Sequence, residues 1–194
     1  MKQLPLDLPA RGGKRKGAGR PPNGEKAGVS HLRREQFPAR HPVHVTLRTL
    51  PGVGFLRGHR RHRAIKEAIR EAQERFGLRV IHYSIQGNHL HLIVEAPDAR
   101  QLARGIQGLA IRVAKALNRI ADRVGRVFAD RYHAHVLASL REAARAVRYV
   151  LTNALHHLRE DVLPAGTDPC SSLAADAPVL KARTWLLQHA LAPP

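Results

Sequence analysis

Three features of the chain predict an α+β fold, a ferredoxin-like split βαβ sandwich with an antiparallel sheet. Residues 43–47 alternate apolar and polar side chains, and two β-rich runs flank Gln86-Gly87-Asn88. Two longer stretches, one on either side of that hairpin, repeat apolar residues at three- and four-residue steps. Read in order the elements run β-α-β-β-α-β-α, in one copy with no internal repeat. Such an open sheet is expected to carry helices on one face and leave the other bare for a ligand.

Val43-His44-Val45-Thr46-Leu47 reads as the first strand, broken by Gly52, Gly54 and Gly58. From about Arg60 to Phe76 the apolar positions Ile65, Ala68, Ile69, Ala72 and Phe76 mark an amphipathic helix, with Gly77 as its C-cap. Leu78–Ile85 and His89–Glu95 form the hairpin, and Pro97-Asp98 ends it. A second helix is expected from about Ala99 to Val124, with Leu102, Ile106, Leu109, Val113, Leu117 and Ile120 facing inward. Its outer side, with the residues just beyond, carries Arg112, Lys115, Arg119, Arg123 and Arg126 as one basic ridge. Tyr132–Leu137 is a short fourth strand. Ser139-Leu140-Arg141-Glu142 has the form of a capping box and starts a last helix that runs to about Leu158.

Charge and punctuation divide the 194 residues into a basic arm (1–40), a patterned domain (41–160) and a tail (161–194). Lysine and arginine number 33 against 15 acidic residues, a net charge of +18 that suits a polyanion: nucleic acid or an acidic surface. The arm alone holds ten basic and three acidic residues. Its RGGKRKGAGRPP run, with Arg15 and Arg20, has no core-forming pattern and is read as disordered. It is either a phosphate-binding arm that releases counterions or a merely solubilising tail. No stretch is long and apolar enough to span a bilayer, and the N-terminus lacks a signal-peptide core, so the expected location is the cytoplasm, with no membrane partner. A single cysteine, Cys170, excludes an intramolecular disulfide and a thiolate zinc cluster. Aromatic residues make up only 4%, too few for single-strand binding built mainly on stacked rings. The tail contains Pro178–Leu191 with the one tryptophan, Trp185, either a short helix over an exposed sheet face or a frayed end.

The chemistry-bearing residues start with His89-Leu90-His91. Strand side chains two apart share a face about 7 Å apart along the backbone, so both imidazoles can converge on one divalent cation. They are equally read as ordinary histidines on a solvated strand. His133 and His135 repeat the spacing. His156-His157 sits where imidazolium interacts well with a helix C-terminus. His44 lies on the strand that should neighbour His89–Glu95; His44-Val45-Thr46 is half of a two-histidine phosphoesterase signature whose second H-x-T the chain lacks. Tyr149 and Asn153, four apart on the last helix, sit beside its apolar stripe (Ala143, Val147, Val150, Leu151, Ala154, Leu158).

The strand HPVHVTLR, the strand GNHLHLIV, the linking FADRYHAHVL and the helical YVLTN together resemble the HUH-superfamily single-tyrosine transposases of the insertion sequence 200 class, nearest to the REP-associated tyrosine transposases. The resemblance covers about Pro42–His157; Ala154 follows Asn153 where the family often has proline. It implies that His89 and His91 are metal ligands, with Asn153 at the third, carboxamide-bearing position and Tyr149 as nucleophile. It further implies cleavage of single-stranded DNA, often beside a hairpin, with a 5′-phosphotyrosine and a free 3′-hydroxyl as products. Mg²⁺ or Mn²⁺ suits two neutral imidazoles and one carboxamide, and Arg145 or Arg148 beside the phenol favours its ionised form. His44 is a candidate supporting residue. Arg57, Arg60, Arg61 and Arg63, with the ridge from Arg112 to Arg126 and the arm, are candidate DNA-backbone contacts. The expected partner is hairpin-bearing single-stranded DNA, engaged by a monomer or a dimer. The competing readings are a non-catalytic, domesticated DNA-binding protein of the same fold and a metal-dependent hydrolase in which Tyr149 forms no bond; Tyr132 is the next candidate nucleophile.

Overall fold

The computed structural model describes residues 36–157 and 168–190. The arm candidates Arg15 and Arg20 lie outside the described residues, as do the side chains of His156 and His157. The elements are β1 (Val43–Arg48), α1 (His59–Ala72), β2 (Arg79–Ile85), β3 (His89–Glu95), α2 (Ala99–Ile120), β4 (His133–Val136), α3 (Leu140–His157) and α4 (Trp185–His189). The four strands form one sheet in the order β2-β3-β1-β4, with every neighbouring pair antiparallel. This is the expected split βαβ order. No described helix is long and apolar enough to cross a membrane.

Alternation on the strands decides the layers. Val43, Val45 and Leu47 of β1 and Leu90, Leu92 and Val94 of β3 point to one side, where they are buried with Ile65 and Ile69 of α1 and Leu102, Ile106, Leu109 and Val113 of α2. Gly105 lets α2 approach closely: a Cβ there would come within 2.6 Å of the Leu78 side chain. Asp98 caps α2, accepting from Gln101 N at 2.7 Å. The predicted capping box at α3 is present, with Glu142 N donating to Ser139 Oγ at 3.2 Å and Ala138 N donating to Glu142 Oε2 at 2.8 Å.

Three expectations are corrected. α1 stops at Ala72, and Phe76 is not on its buried stripe. Glu74, Phe76 and Gly77 all adopt left-handed φ, and the Phe76 ring lies outside beneath the Arg104 guanidinium, 4.1 Å from its centroid. The terminating residue is Gln73, whose side-chain amide accepts from Val80 N (2.8 Å) and donates to Val80 O (3.1 Å) and Pro178 O (2.7 Å). α2 ends at Ile120, because Asp122 and Gly125 take positive φ and Arg123 N turns back to Asn118 O at 3.0 Å. The basic ridge therefore does not continue along one helix.

The second sheet face is not bare. A bulge between Val80 and His82 turns Ile81 away from the first core, and Ile81 with Ile93 packs against Ala143, Val147 and Val150 of α3. The tail joins this layer. It runs along the outer edge of β2 through Ile85 N→Cys170 O (2.8 Å), Ser172 N→Tyr83 O (2.9 Å) and Leu180 N→Val80 O (3.0 Å), covering an otherwise open edge. It then crosses to α4, whose Leu187 enters the second cluster. Glu95, buried at the end of β3, fixes the crossing: it accepts from Thr184 N (2.7 Å), Thr184 Oγ1 (2.9 Å), Arg183 N (2.9 Å) and Arg79 Nε (3.3 Å). Removing that carboxylate leaves the Arg79 Nε–H, two backbone amides and the Thr184 hydroxyl without their acceptor, while the rest of the guanidinium keeps Glu74 and Lys181 O. Glu95→Ala is expected to lower unfolding free energy by about 3 kcal/mol or more, measured by urea denaturation; an unchanged midpoint would mean that the crossing is not anchored there.

Candidate active site

The same alternation that buries leucine and valine on one side of β1 and β3 turns His44, Thr46, Arg48, His89 and His91 to the other. Register then pairs them across the strands: Thr46 opposite His91, Arg48 opposite His89, and His44 opposite Ile93. β2 adds Ser84 on the far side of His91, while β4 adds His133 beside Thr46 and His135 beside His44. Both H-x-H pairs therefore share one face, with His133 and His135 on its exposed outer strand.

His91 is the hub. Its Nδ1 lies 3.1 Å from His44 Nε2 and 3.2 Å from Thr46 Oγ1. The His89 and His91 rings stand perpendicular, with centroids 4.7 Å apart. His89 Nδ1 lies 2.8 Å from Asn88 Oδ1; in the tautomer where Nδ1 donates to that oxygen, Nε2 bears the lone pair. Gln86, which ends β2, is buried and donates to Ser84 Oγ at 2.6 Å. Burial, reinforced by the nearby His135 and His133, pushes the His44 pKa down to about 4, so its ring is neutral at physiological pH.

Tyr149 comes from α3. Its ring meets His91 edge-on (centroids 5.2 Å apart, planes at 82°) and His44 similarly (6.1 Å, 65°), yet 44% of the residue stays exposed. The phenol is thus neither locked in the core nor remote from the histidines. Asn153, one helical turn on, is 1% exposed, and its Nδ2 has no hydrogen-bond partner among the described residues. A flip of that amide presents its oxygen at the same position. Among the described residues no three His, Cys, Asp or Glu side chains gather as a metal site. A cation here would rest on His89, His91 and the Asn153 carboxamide, a nitrogen and oxygen donor set that fits a divalent ion.

The basic candidates separate. Arg57 is buried: its guanidinium grips both Asp168 oxygens (2.7 and 3.2 Å) and donates to Ile85 O (2.9 Å), so it holds the tail and is not presented to a DNA backbone. Arg60 and Arg63 are exposed on α1, and Arg61 is half-buried against Gly54. Lys115 and Arg119 are exposed on α2, across the sheet from the histidines. Arg112 reaches Glu71 of α1 (3.4 Å) and Gly108 O (2.9 Å). Arg123 and Arg126 bond loop carbonyls, Arg123 to Arg126 O (3.1 Å) and Arg126 to Phe128 O (2.8 Å). Arg145 and Arg148 are exposed and flank Tyr149. Tyr132 packs against the α1/α2 core beside Leu47 and Ile106, on the other side of the sheet from the histidines. Two residues on the histidine face had no site role in the sequence reading: Thr46, which contacts His91, and Arg48, opposite His89. Both continue the alternation that begins at His44, which is the signal that marks them.

A protein-family model described as "Transposase IS200 like" matches residues 39–153. A solved structure of a REP-associated tyrosine transposase bound to a REP hairpin superposes on 66% of this chain and 74% of its own, with a TM-score of 0.53 and 14% identity, a likeness of fold. No curated protein matches.

The half-buried His44 gives a direct check of this geometry. Its folded pKa lies below the ordinary 6.5, so protonation favours the unfolded chain: its contribution to stability is complete above 6.5 and is lost as pH falls toward 4. An NMR titration of the metal-free protein should find the His44 imidazole with a midpoint near 4; a midpoint near the ordinary value would mean that the ring is open to water.

Proposed function

The chain belongs to the insertion sequence 200-like transposase family, enzymes that act on DNA, and from that premise we propose that it cuts and rejoins single-stranded DNA through a covalent bond to Tyr149. The observation that carries this reading is the Tyr149 ring, partly exposed and 5.2 Å from the His91 ring that shares its face with His89. A phenol at that distance is within reach of a phosphodiester lying over the imidazoles.

The Tyr149 phenolate oxygen attacks phosphorus, the P–O3′ bond breaks, and the strand is left as a 5′-phosphotyrosine with a free 3′-hydroxyl. Attack by another 3′-hydroxyl reverses the step, so the bond energy is kept and no external energy source is needed. His89, His91 and Asn153 would hold a divalent ion, Mg²⁺ or Mn²⁺, which would supply Lewis-acid withdrawal of charge at the phosphodiester. Asn88 orients His89 through Nδ1, and His44 with Thr46 orients His91 through Nδ1. The substrate is hairpin-bearing single-stranded DNA, in keeping with the hairpin carried by the structural neighbour. Exposed cations on this face, Arg48, Arg145 and Arg148, serve its backbone; Lys115 and Arg119 lie across the sheet and reach only DNA that wraps the domain.

Labelled single-stranded DNA carrying a hairpin from the sequence flanking the protein's own gene, incubated with Mn²⁺, should yield a covalent adduct on a denaturing gel. Tyr149→Phe should give none. His89→Ala or His91→Ala should abolish the adduct while leaving most of the salt-sensitive binding. An adduct that survives Tyr149→Phe would move the nucleophile elsewhere. Binding by a parent protein that forms no adduct would support the domesticated DNA-binding alternative.

A further inference from the structure

The loop after β1 presents an aromatic ring that nothing in the fold requires to be outside. Both ends of the loop are stitched to the turn between β2 and β3: Thr49 N and Thr49 Oγ1 each donate to Asn88 O at 2.9 Å, and Leu56 N donates to Gly87 O at 2.9 Å. Val53 and Leu56 are buried, while Phe55 between them is 57% exposed. Gly52 and Gly54 take φ of +85° and +92°, a backbone that other residues adopt only with strain, and this fold of the loop turns Phe55 outward. The ring rests on the bare backbone of Gly87, where a Cβ would lie 3.2 Å from Phe55 Cε2. The other exposed aromatic side chains are engaged: Phe76 lies under Arg104, Trp185 stacks on His189, and Tyr149 meets two histidines. Among the described residues, no ring or cation covers Phe55.

Its surroundings are cationic and next to the site. Gly87 lies two residues from His89. Arg48 pairs in register with His89, so their Cβ atoms lie about 5 Å apart, and it is exposed with no ion-pair partner among the described residues. The Arg61 guanidinium lies against Gly54, within about 3 Å of where a Cβ would sit. A flat apolar face beside guanidinium groups matches the two chemistries of a nucleotide, base and phosphate.

We propose that Phe55 is a stacking platform for one unpaired base of the DNA strand, and that Arg48 holds an adjoining phosphate beside the histidines. The inference rests on the DNA-cutting reading above, which assigns no residue to the base. A single platform is compatible with the low aromatic content, since it orients one nucleotide and leaves bulk affinity to charge.

The test measures binding apart from cutting. Full-length protein carrying Tyr149→Phe is titrated, without divalent metal, into oligo(dT) containing one 2-aminopurine, whose fluorescence falls on stacking. Phe55→Ala should bind roughly tenfold more weakly and lose the quenching, with an unchanged slope of log K against log salt. Phe55→Trp should restore both, which a merely damaged loop would not allow. Arg48→Gln should keep the quenching and reduce the slope by about 0.7. Phe55→Ala that binds and quenches as the parent does, or a parent that never quenches, would overturn the proposal. The adduct assay separates the two readings: quenching that depends on Phe55 in a protein that forms no adduct leaves the platform standing and removes the cutting, and the opposite pair of results does the reverse.

Discussion

The register between β1 and β3 is the constraint on which the rest depends. Strand side chains alternate, so a pairing that sets Leu47 against Leu90 and Val45 against Leu92 must set Thr46 against His91 and Arg48 against His89. A slip of β3 by one residue would drive His89 and His91 into the apolar layer beneath α1 and α2 and turn Leu90, Leu92 and Val94 out of it. Burial of the aliphatic set, each member contributing about 1.5–3 kcal/mol, therefore holds the polar set in place on the opposite face. The histidines need no loop to bring them together; the hydrophobic core does it from behind.

The second face owes its shape to a division of labour. At β2 and β3, Ile81 and Ile93 are covered by the apolar stripe of α3, and the tail passing along β2 adds Leu187 and Ala190 to that packing. Toward β1 and β4 the same face carries histidines and stays accessible. α3 thus lies at the border between a closed half and an open half, and Tyr149 stands where the two meet. The tail's hold on Arg57 and Glu95 secures the closed half, so residues far from the histidines help fix the helix that carries the phenol.

What could be read from the residues was what local chemistry decides. The alternation of residues 43–47, the turn at Gln86-Gly87-Asn88 and the Ser139/Glu142 capping box all speak through near neighbours. Period two put His89 and His91 on one face, and helical spacing put Tyr149 and Asn153 on another. Interactions distant in sequence were not legible. Arg57 resembled its basic neighbours, and only Asp168, brought back by the tail, makes it a buried structural cation. Phe76 fitted a helical stripe, but Gln73 spends its amide on β2 and the chain turns left-handed before reaching it. Covering of the second face followed from a bulge at Ile81 that no pattern marked. Thr46 and Arg48 were within reach of the alternation argument, since they extend the line begun by His44.

The central claim is that one divalent cation, two strand imidazoles and a helical phenol belong to a single centre. Paramagnetic Mn²⁺ tests it most directly, because its line broadening falls steeply with distance. Titrated into the isotope-labelled protein without DNA, it should first broaden the imidazole signals of His89 and His91, the Asn153 carboxamide and the Tyr149 ring, and spare Lys115 and Arg119 across the sheet. Broadening centred on His133 and His135, or broadening that leaves Tyr149 untouched, would contradict the account.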